Sequence, residues 1–237
     1  MIRPPQWVGL RNYLHLGDDE YFLLGLRKTM SYAAWVIPIS LAGGLTTAGL
    51  LTCRIRGGGF FKSVFYFPSL FTGAAIAVLW VNMFNKEYGV VNELLAVFHI
   101  PPVNWLDEAH AFTTVILMNF FWVGGAMIVY YAGMKQIPAS LYEAADIDGA
   151  GPIRKFLFIT IPMLSPVILF MVIMSTIGAF QIFTPALFFA SDSSQIGGPG
   201  NALRLYSVNI YNEAFNNLRM GNACSYAIIL FVIIFLI

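Results

Sequence analysis

Five stretches of the chain carry no formal charge: Thr29–Cys53, Ser63–Asn85, Ala109–Met134, Phe156–Ser191 and Met220–Ile237. Each is about as long as the roughly 18–20 residues that a helix needs to cross a bilayer. No soluble core of one small protein needs five such runs. The pattern predicts an all-α, polytopic membrane protein, with an outer segment over 1–28 and a transmembrane domain over 29–237. Its spans are expected at about 29–53, 63–85, 109–134, 156–183 and 220–237, with an inner segment over 135–161. The last apolar run continues to Ile237 without a flanking charge or aromatic anchor, so the chain reads as incomplete at its C-terminus.

Composition agrees with that pattern. Of 237 residues, 58% are apolar and 11% charged, less than half the charged share of about 25% usual in soluble domains. Thirteen basic against twelve acidic side chains leave no bulk charge to attract nucleic acid. Lys and Arg density sets the orientation. The turn Cys53–Lys62 holds Arg54, Arg56 and Lys62, and the segment Lys135–Lys155 holds Lys135, Arg154 and Lys155. These two segments are expected in the cytoplasm. Met1–Lys28, Asn85–His110 and Thr184–Arg219 are then outside, the last as a long loop rich in Gly, Asn and Ser. Arg27 and Lys28 sit against this rule at the outer mouth of the first span, within reach of headgroups by snorkelling.

The spans are not plain lipid anchors. Ala42 to Gly49 form a block of small residues that permits close backbone approach to a neighbour. Pro38, Pro68, Pro162 and Pro166 interrupt or open helices, and their lost backbone bonds must be made good elsewhere. This fits either an ordinary kinked bundle or one whose kinks let it rock between two states.

Enzyme signatures are weak. His15, His99 and His110 are scattered over outer segments, which argues against a metal site, and Cys53 and Cys224 lie far apart without a metal or redox spacing. Gly57-Gly58-Gly59-Phe60-Phe61-Lys62-Ser63 is a near-match to a phosphate loop, but that motif requires Gly directly before the Lys. The glycines read as a turn and Lys62 as an inner-face anchor. No formal charge lies at any span centre, which argues against a proton relay or a self-contained ion-coupled pump; uphill transport would draw its energy from another chain.

The inner segment is the most informative. Ser140 and Glu143 have the spacing of a capping box, so a helix is expected from Leu141, extended by Ala144 and Ala145. Gly149 is placed to end it in a left-handed conformation, and Arg154-Lys155-Phe156 opens a second helix towards Pro162. On these residues alone it reads equally as a docking element or as a surface helix between spans. However, Glu143-Ala144-Ala145, Asp148-Gly149-Ala150, Phe156, Ile159, Pro162 and Pro166 resemble the EAA motif of permease subunits of bacterial ATP-binding-cassette importers. Trp7-Val8-Gly9-Leu10-Arg11-Asn12-Tyr13, Phe65-Tyr66-Phe67-Pro68 and Gly197-Gly198-Pro199 resemble further segments of the carbohydrate-uptake family, of the maltose-permease-like type. The span that usually precedes the first of these segments is absent, and Lys28-Thr29 stands where that family commonly has Asn-Thr.

The resemblance implies a multi-pass protein of the bacterial inner membrane that couples ATP hydrolysis in partner subunits to alternating access and is not itself an enzyme. Its implied partners are a second, different permease subunit, two cytosolic ATP-binding-cassette subunits, an extracytoplasmic solute-binding protein, a carbohydrate substrate and the lipid bilayer, with no cofactor and no metal. Glu143, Ala144, Ala145, Asp148, Gly149 and Ala150 would couple to the ATPase, and Gly197, Gly198 and Pro199 would meet the binding protein. A sugar site needs amides or hydroxyls beside aromatics. Asn119, Trp122, Ser175, Phe180 and Gln181 offer them, although Asn119 and Gln181 serve equally well as inter-helix hydrogen-bonding residues. A non-sugar solute such as glycerol phosphate, or a membrane scaffold without transport, are the other readings.

Overall fold

The computed structural model describes residues 6–52, 57–71, 73–189 and 196–237, with the side chains of Phe121 and Trp122 outside that description. Arg54, Arg56, Cys53, Ser191, Ser193 and Ser194 lie outside the described residues. All regular structure within them is helical. The chain opens with α1 (Arg11–Leu16) and α2 (Glu20–Thr52). Next come α3 (Gly58–Tyr66), a 3₁₀ turn over Phe67–Leu70, α4 (Gly73–Met83) and α5 (Val90–Val97). The helices α6 (Ala111–Met118) and α7 (Val123–Lys135) are joined by a 3₁₀ turn, Asn119–Trp122. The inner segment supplies α8 (Ala139–Ile147) and α9 (Pro152–Lys155), then a π-helical turn, Phe156–Thr160, and α10 (Ile161–Met163). Then follow α11 (Ser165–Phe180), α12 (Thr184–Phe188), α13 (Tyr206–Tyr211) with a π-helical turn over Asn212–Asn216, and α14 (Met220–Leu236).

Glu20–Thr52, Ala111–Lys135 and Ser165–Phe188 are long and apolar enough to cross a membrane. Gly58–Leu70 and Gly73–Met83 pass only as a broken pair whose axes differ by 101°, and α14 adds a shorter apolar helix of 17 residues. Helix α2 starts nine residues before the expected span because Asp19 opens it, its carboxylate accepting the Tyr21 amide at 2.9 Å. Pro38 lies inside α2 and does not end it. Pro68 does mark a break: the 3₁₀ turn around it gives way at Phe71 to an extended backbone. Pro162 cannot donate to the carbonyl one turn back, and the π-helical turn immediately precedes it. The second inner helix starts at Pro152, two residues before the expected Arg154, because proline at the first helical position has no amide to leave unpaired.

Two compact units divide the chain. The first comprises Met1–Ala33, Ala77–Thr114 and Ile177–Ile237; the second comprises Ala34–Ile76 and Val115–Thr176. In the second unit, Ala48, Leu51, Met127, Tyr130, Met134 and Leu164 form the core, with Ile137, Phe156 and Val167 packed against it. In lipid, helices associate through close packing, which small residues permit. The Ala42–Gly49 block serves this purpose: a Cβ on Gly44 would lie 2.8 Å from that of Ala126, and one on Gly49 would lie 3.0 Å from the Phe156 ring. A Cβ on Gly133 would likewise lie 2.8 Å from the Leu164 side chain. Thr46, Thr47 and Thr52 satisfy their hydroxyls on carbonyls one turn back, so they bring no unpaired polar group into the apolar helix.

The first unit is held by aromatic and amide groups. Phe22, Tyr206 and Tyr226 meet edge to face, with ring centroids 5.5–5.7 Å apart. Tyr226 donates to the Asp19 carboxylate at 2.6 Å, and the buried Thr29 hydroxyl accepts the Tyr206 amide at 2.9 Å. Asn92 organises the 85–110 segment, accepting from the Val103 amide and the Trp105 indole and donating to the Val103 carbonyl.

Candidate functional site

The inner segment hangs between two residues of the second unit's core, Ile137 before it and Phe156 after it. Helix α8 begins at Ala139, not at Leu141, and the expected capping box does not form. Pro138 is the N-cap, with φ −58° and ψ 132°, and no side chain bonds to the first-turn amides. The proline ring sets the entry angle and the Pro138 carbonyl accepts the Leu141 amide at 3.2 Å, so Ser140 falls inside the first turn.

The far end is a complete Schellman turn. The Ala150 amide donates to the Ala145 carbonyl at 2.9 Å, the Gly149 amide to that of Asp146 at 3.1 Å, and Gly149 sits at φ +70°. Tyr142 then ties α8 to the next helix through the Thr160 hydroxyl at 2.8 Å, and Lys155 donates to the Asp146 carboxylate. The ion pair is a surface one and adds little; the tyrosine contact reaches a buried threonine and fixes the helix on its base. What remains is presented outward. Glu143, Ala144, Asp148 and Gly149 are exposed, Ala145 and Ala150 half-buried, and Ile147 is 88% exposed.

The outer segment departs from the expected long loop. Between Thr184 and Arg219 the chain forms α12, α13 and a π-helical turn, and it buries Leu203, Leu205, Tyr206 and Val208 in the first unit. Apolar residues two to three apart drive this burial, although the surrounding Gly, Asn and Ser hide the pattern. Gly197 and Gly198 are themselves buried, packed on Arg204 and Leu203, so the turn exposes Gly200 and half-exposes Pro199 and Asn201 instead. Lys28, unmatched in the sequence reading, donates to the Asn201 carbonyl, and the Glu108 carboxylate fills the space where a Cβ on Gly200 would stand. Arg204 stacks 3.4 Å over the Tyr21 ring and donates to Asn209 and Asn201. Beside these groups is a cavity of about 440 Å³ lined by Gly198, Asn201, Arg204, Asn212 and Asn216.

The expected solute contacts divide between the units: Asn119, Trp122 and Ser175 belong to the second, Phe180 and Gln181 to the first. Asn119 and Trp122 begin and end the 3₁₀ turn. Asn119 donates to the Val115 carbonyl at 2.9 Å. Ser175 is half-buried, Phe180 is buried at the end of α11, and Gln181 is exposed just past it. Tyr142, Thr160 and the partners of Lys28 were missed by sequence reasoning, because their contacts span 18 to 173 positions and no local pattern announces them.

The profile of the binding-protein-dependent transport system inner membrane component family matches residues 28–237. The chain is 36% identical to the probable ABC transporter permease protein YesP of Bacillus subtilis, over all of this chain and 77% of that protein. It is 34% identical to the lactose transport system permease protein LacF of Rhizobium radiobacter, over 96% of this chain and 78% of LacF. Identity to the sn-glycerol-3-phosphate transport system permease protein UgpA of Escherichia coli is 30%, over 97% and 77% of the two chains. The fold matches a chain of the bacterial ABC transporter that imports the acidic polysaccharide alginate, with a TM-score of 0.85, 20% identity and coverage of 98% and 81%. The chain therefore belongs to the binding-protein-dependent transport system inner membrane components, the multi-pass permease subunits of ATP-driven importers.

Proposed function

We propose that this permease carries a carbohydrate, and that α8 with its Gly149 turn is the lever through which two separate cytosolic ATPase subunits drive it. The observation that carries this reading is the mounting of α8. The helix is rooted through Ile137 and Phe156, which pack on the core, pinned by Tyr142 to Thr160 and tied at Asp146 to Lys155, and most of its other side chains are exposed. A stiff, exposed helix of nine residues suits the transfer of force from a cleft that closes around it. Hydrolysis belongs to the partner subunits, and this chain supplies the moving gate. Its inner face carries the 135–161 segment and its outer face the 184–219 segment, where the exposed Gly200 and the half-buried Asn201 meet a solute-binding protein. A second, different permease subunit completes the pathway.

LacF and the alginate transporter support a carbohydrate, and the neutral amide-and-aromatic character of Asn119, Trp122 and Gln181 suits hydroxyl groups better than a phosphate. The test is solute-stimulated ATPase in the reconstituted complex, screened across disaccharides, oligosaccharides and glycerol phosphates. Stimulation by neutral sugars is expected; stimulation by glycerol phosphates alone would replace the solute class and leave the coupling reading intact.

A further inference from the structure

The second unit carries one aromatic ring with two ammonium groups on it. Lys62, in α3, donates to the Tyr131 hydroxyl at 2.6 Å and lies 3.9 Å from the ring centroid. Lys135, at the end of α7, lies 5.6 Å from the same centroid. The sequence dictates half of this arrangement, because Tyr131 and Lys135 are four apart on one helix and share a face. Backbone approach dictates the other half: Gly124 of α7 lies so close to the Phe65 carbonyl of α3 that a Cβ would overlap it, and this contact sets Lys62 over the ring.

Two like charges on one phenol repel each other, and the ring offsets only part of that repulsion. Among the described residues the ion pairs are His110–Asp107 and Lys155–Asp146, so no carboxylate there neutralises either lysine. Each ammonium keeps donors beyond those the ring and its hydroxyl engage. A neighbouring anion is the missing component. Its source is indicated by α3 itself, which exposes Phe60, Phe61 and Phe65 around Lys62. Apolar rings beside paired cations at the inner end of a span match a phosphodiester with acyl chains attached, and basic pockets at that level are where anionic headgroups are held. A free phosphate has no use for the phenylalanines, and a zwitterionic headgroup brings an ammonium of its own.

We infer that Lys62, Lys135 and Tyr131 form a binding site for the headgroup of an anionic phospholipid of the inner leaflet. The site rests on the proposed orientation, with the α3 and α8 ends in the cytoplasm. It adds a lipid ligand at the start of the coupling segment, whose first residue is Lys135.

Native mass spectrometry of the whole importer tests it, after extraction from vesicles of phosphatidylcholine and phosphatidylglycerol in a roughly 3:1 ratio. The parent protein is expected to retain phosphatidylglycerol in preference to phosphatidylcholine. Lys62→Gln or Lys135→Gln should each weaken that preference about fivefold, the equivalent of about 1 kcal/mol per basic residue. The double variant should abolish the preference, and Lys62→Arg with Lys135→Arg should restore it. Equal retention by the double glutamine variant overturns the site, and so does displacement of the lipid by inorganic phosphate alone. Labelling of Lys62→Cys by an impermeant maleimide from the outer face would instead sink the orientation, whatever lipid is retained. No preference in the parent protein, with Lys62→Cys labelled from the inner face, sinks only the lipid site.

Discussion

Gly149 and Lys28 show how single residues set this structure. At φ +70°, Gly149 has open space where a Cβ would point, so a substitution there meets backbone strain and no clash. Gly149→Val should cost roughly 1–2 kcal/mol and misaim the end of α8. Membrane insertion and basal ATPase should persist, whereas solute uptake per ATP hydrolysed should fall; Gly149→Asn, which tolerates the left-handed region, should keep most of it. Lys28 holds the outer turn through the Asn201 carbonyl. Replacing it with Asn removes a charged hydrogen bond at a half-buried position, and about tenfold faster hydrogen exchange is expected at the Ala202 and Leu203 amides. The left-handed Gly149 was legible in the sequence because helix termination is a local event. The role of Lys28 was not, because its partner lies 173 residues away.

Helices show the same division between local and distant causes. The small-residue block of α2 predicts a close neighbour, and that neighbour is Ala126 and Tyr130 of α7. Gly44→Leu should overpack that contact and destabilise the protein by about 1–3 kcal/mol, read as a lower melting temperature in detergent. Gly125→Ala faces open space and should be neutral or mildly stabilising, since Ala is the better helix former. Other elements were misread for identifiable reasons. The spacing from Ser140 to Glu143 satisfies a capping box, but Pro138 had already fixed the entry to α8. The Gly, Asn and Ser content of residues 184–219 predicts a loop, yet within it residues 206–216 are helical, because Leu205, Tyr206 and Val208 are buried and tertiary packing prevails. The break at Phe71 follows Pro68, whose presence signalled an interruption without giving its 101° angle.

For the whole molecule, charge-free runs predict a helical membrane protein, because bilayer thickness and the absence of water in lipid leave few alternatives. Its place among importer permeases was legible only through the resemblance of residues 143–166 and the further segments to that family. The solute path was less legible, because Asn119 and Gln181 have the same chemistry as lining residues or as hydrogen-bonding partners. Coupling can be tested on the assembled importer: Ile147→Cys, 88% exposed, should crosslink to an ATPase subunit, while a cysteine at the buried Leu164 should not. The π-helical turn over Phe156–Thr160 has a consequence for that assembly. Relative to an α-helix it holds one surplus residue, equivalent to about 100° of rotation about the axis. Deleting one residue from this turn should let the helix wind evenly and leave the azimuth of every later α11 side chain unchanged, because the wide turn already absorbs the surplus. Cysteine reactivity along the far half of α11 would then keep its stripe, whereas deleting a residue early in the evenly wound α11 should move it by just over a quarter of a turn, as a bolt advances on its thread.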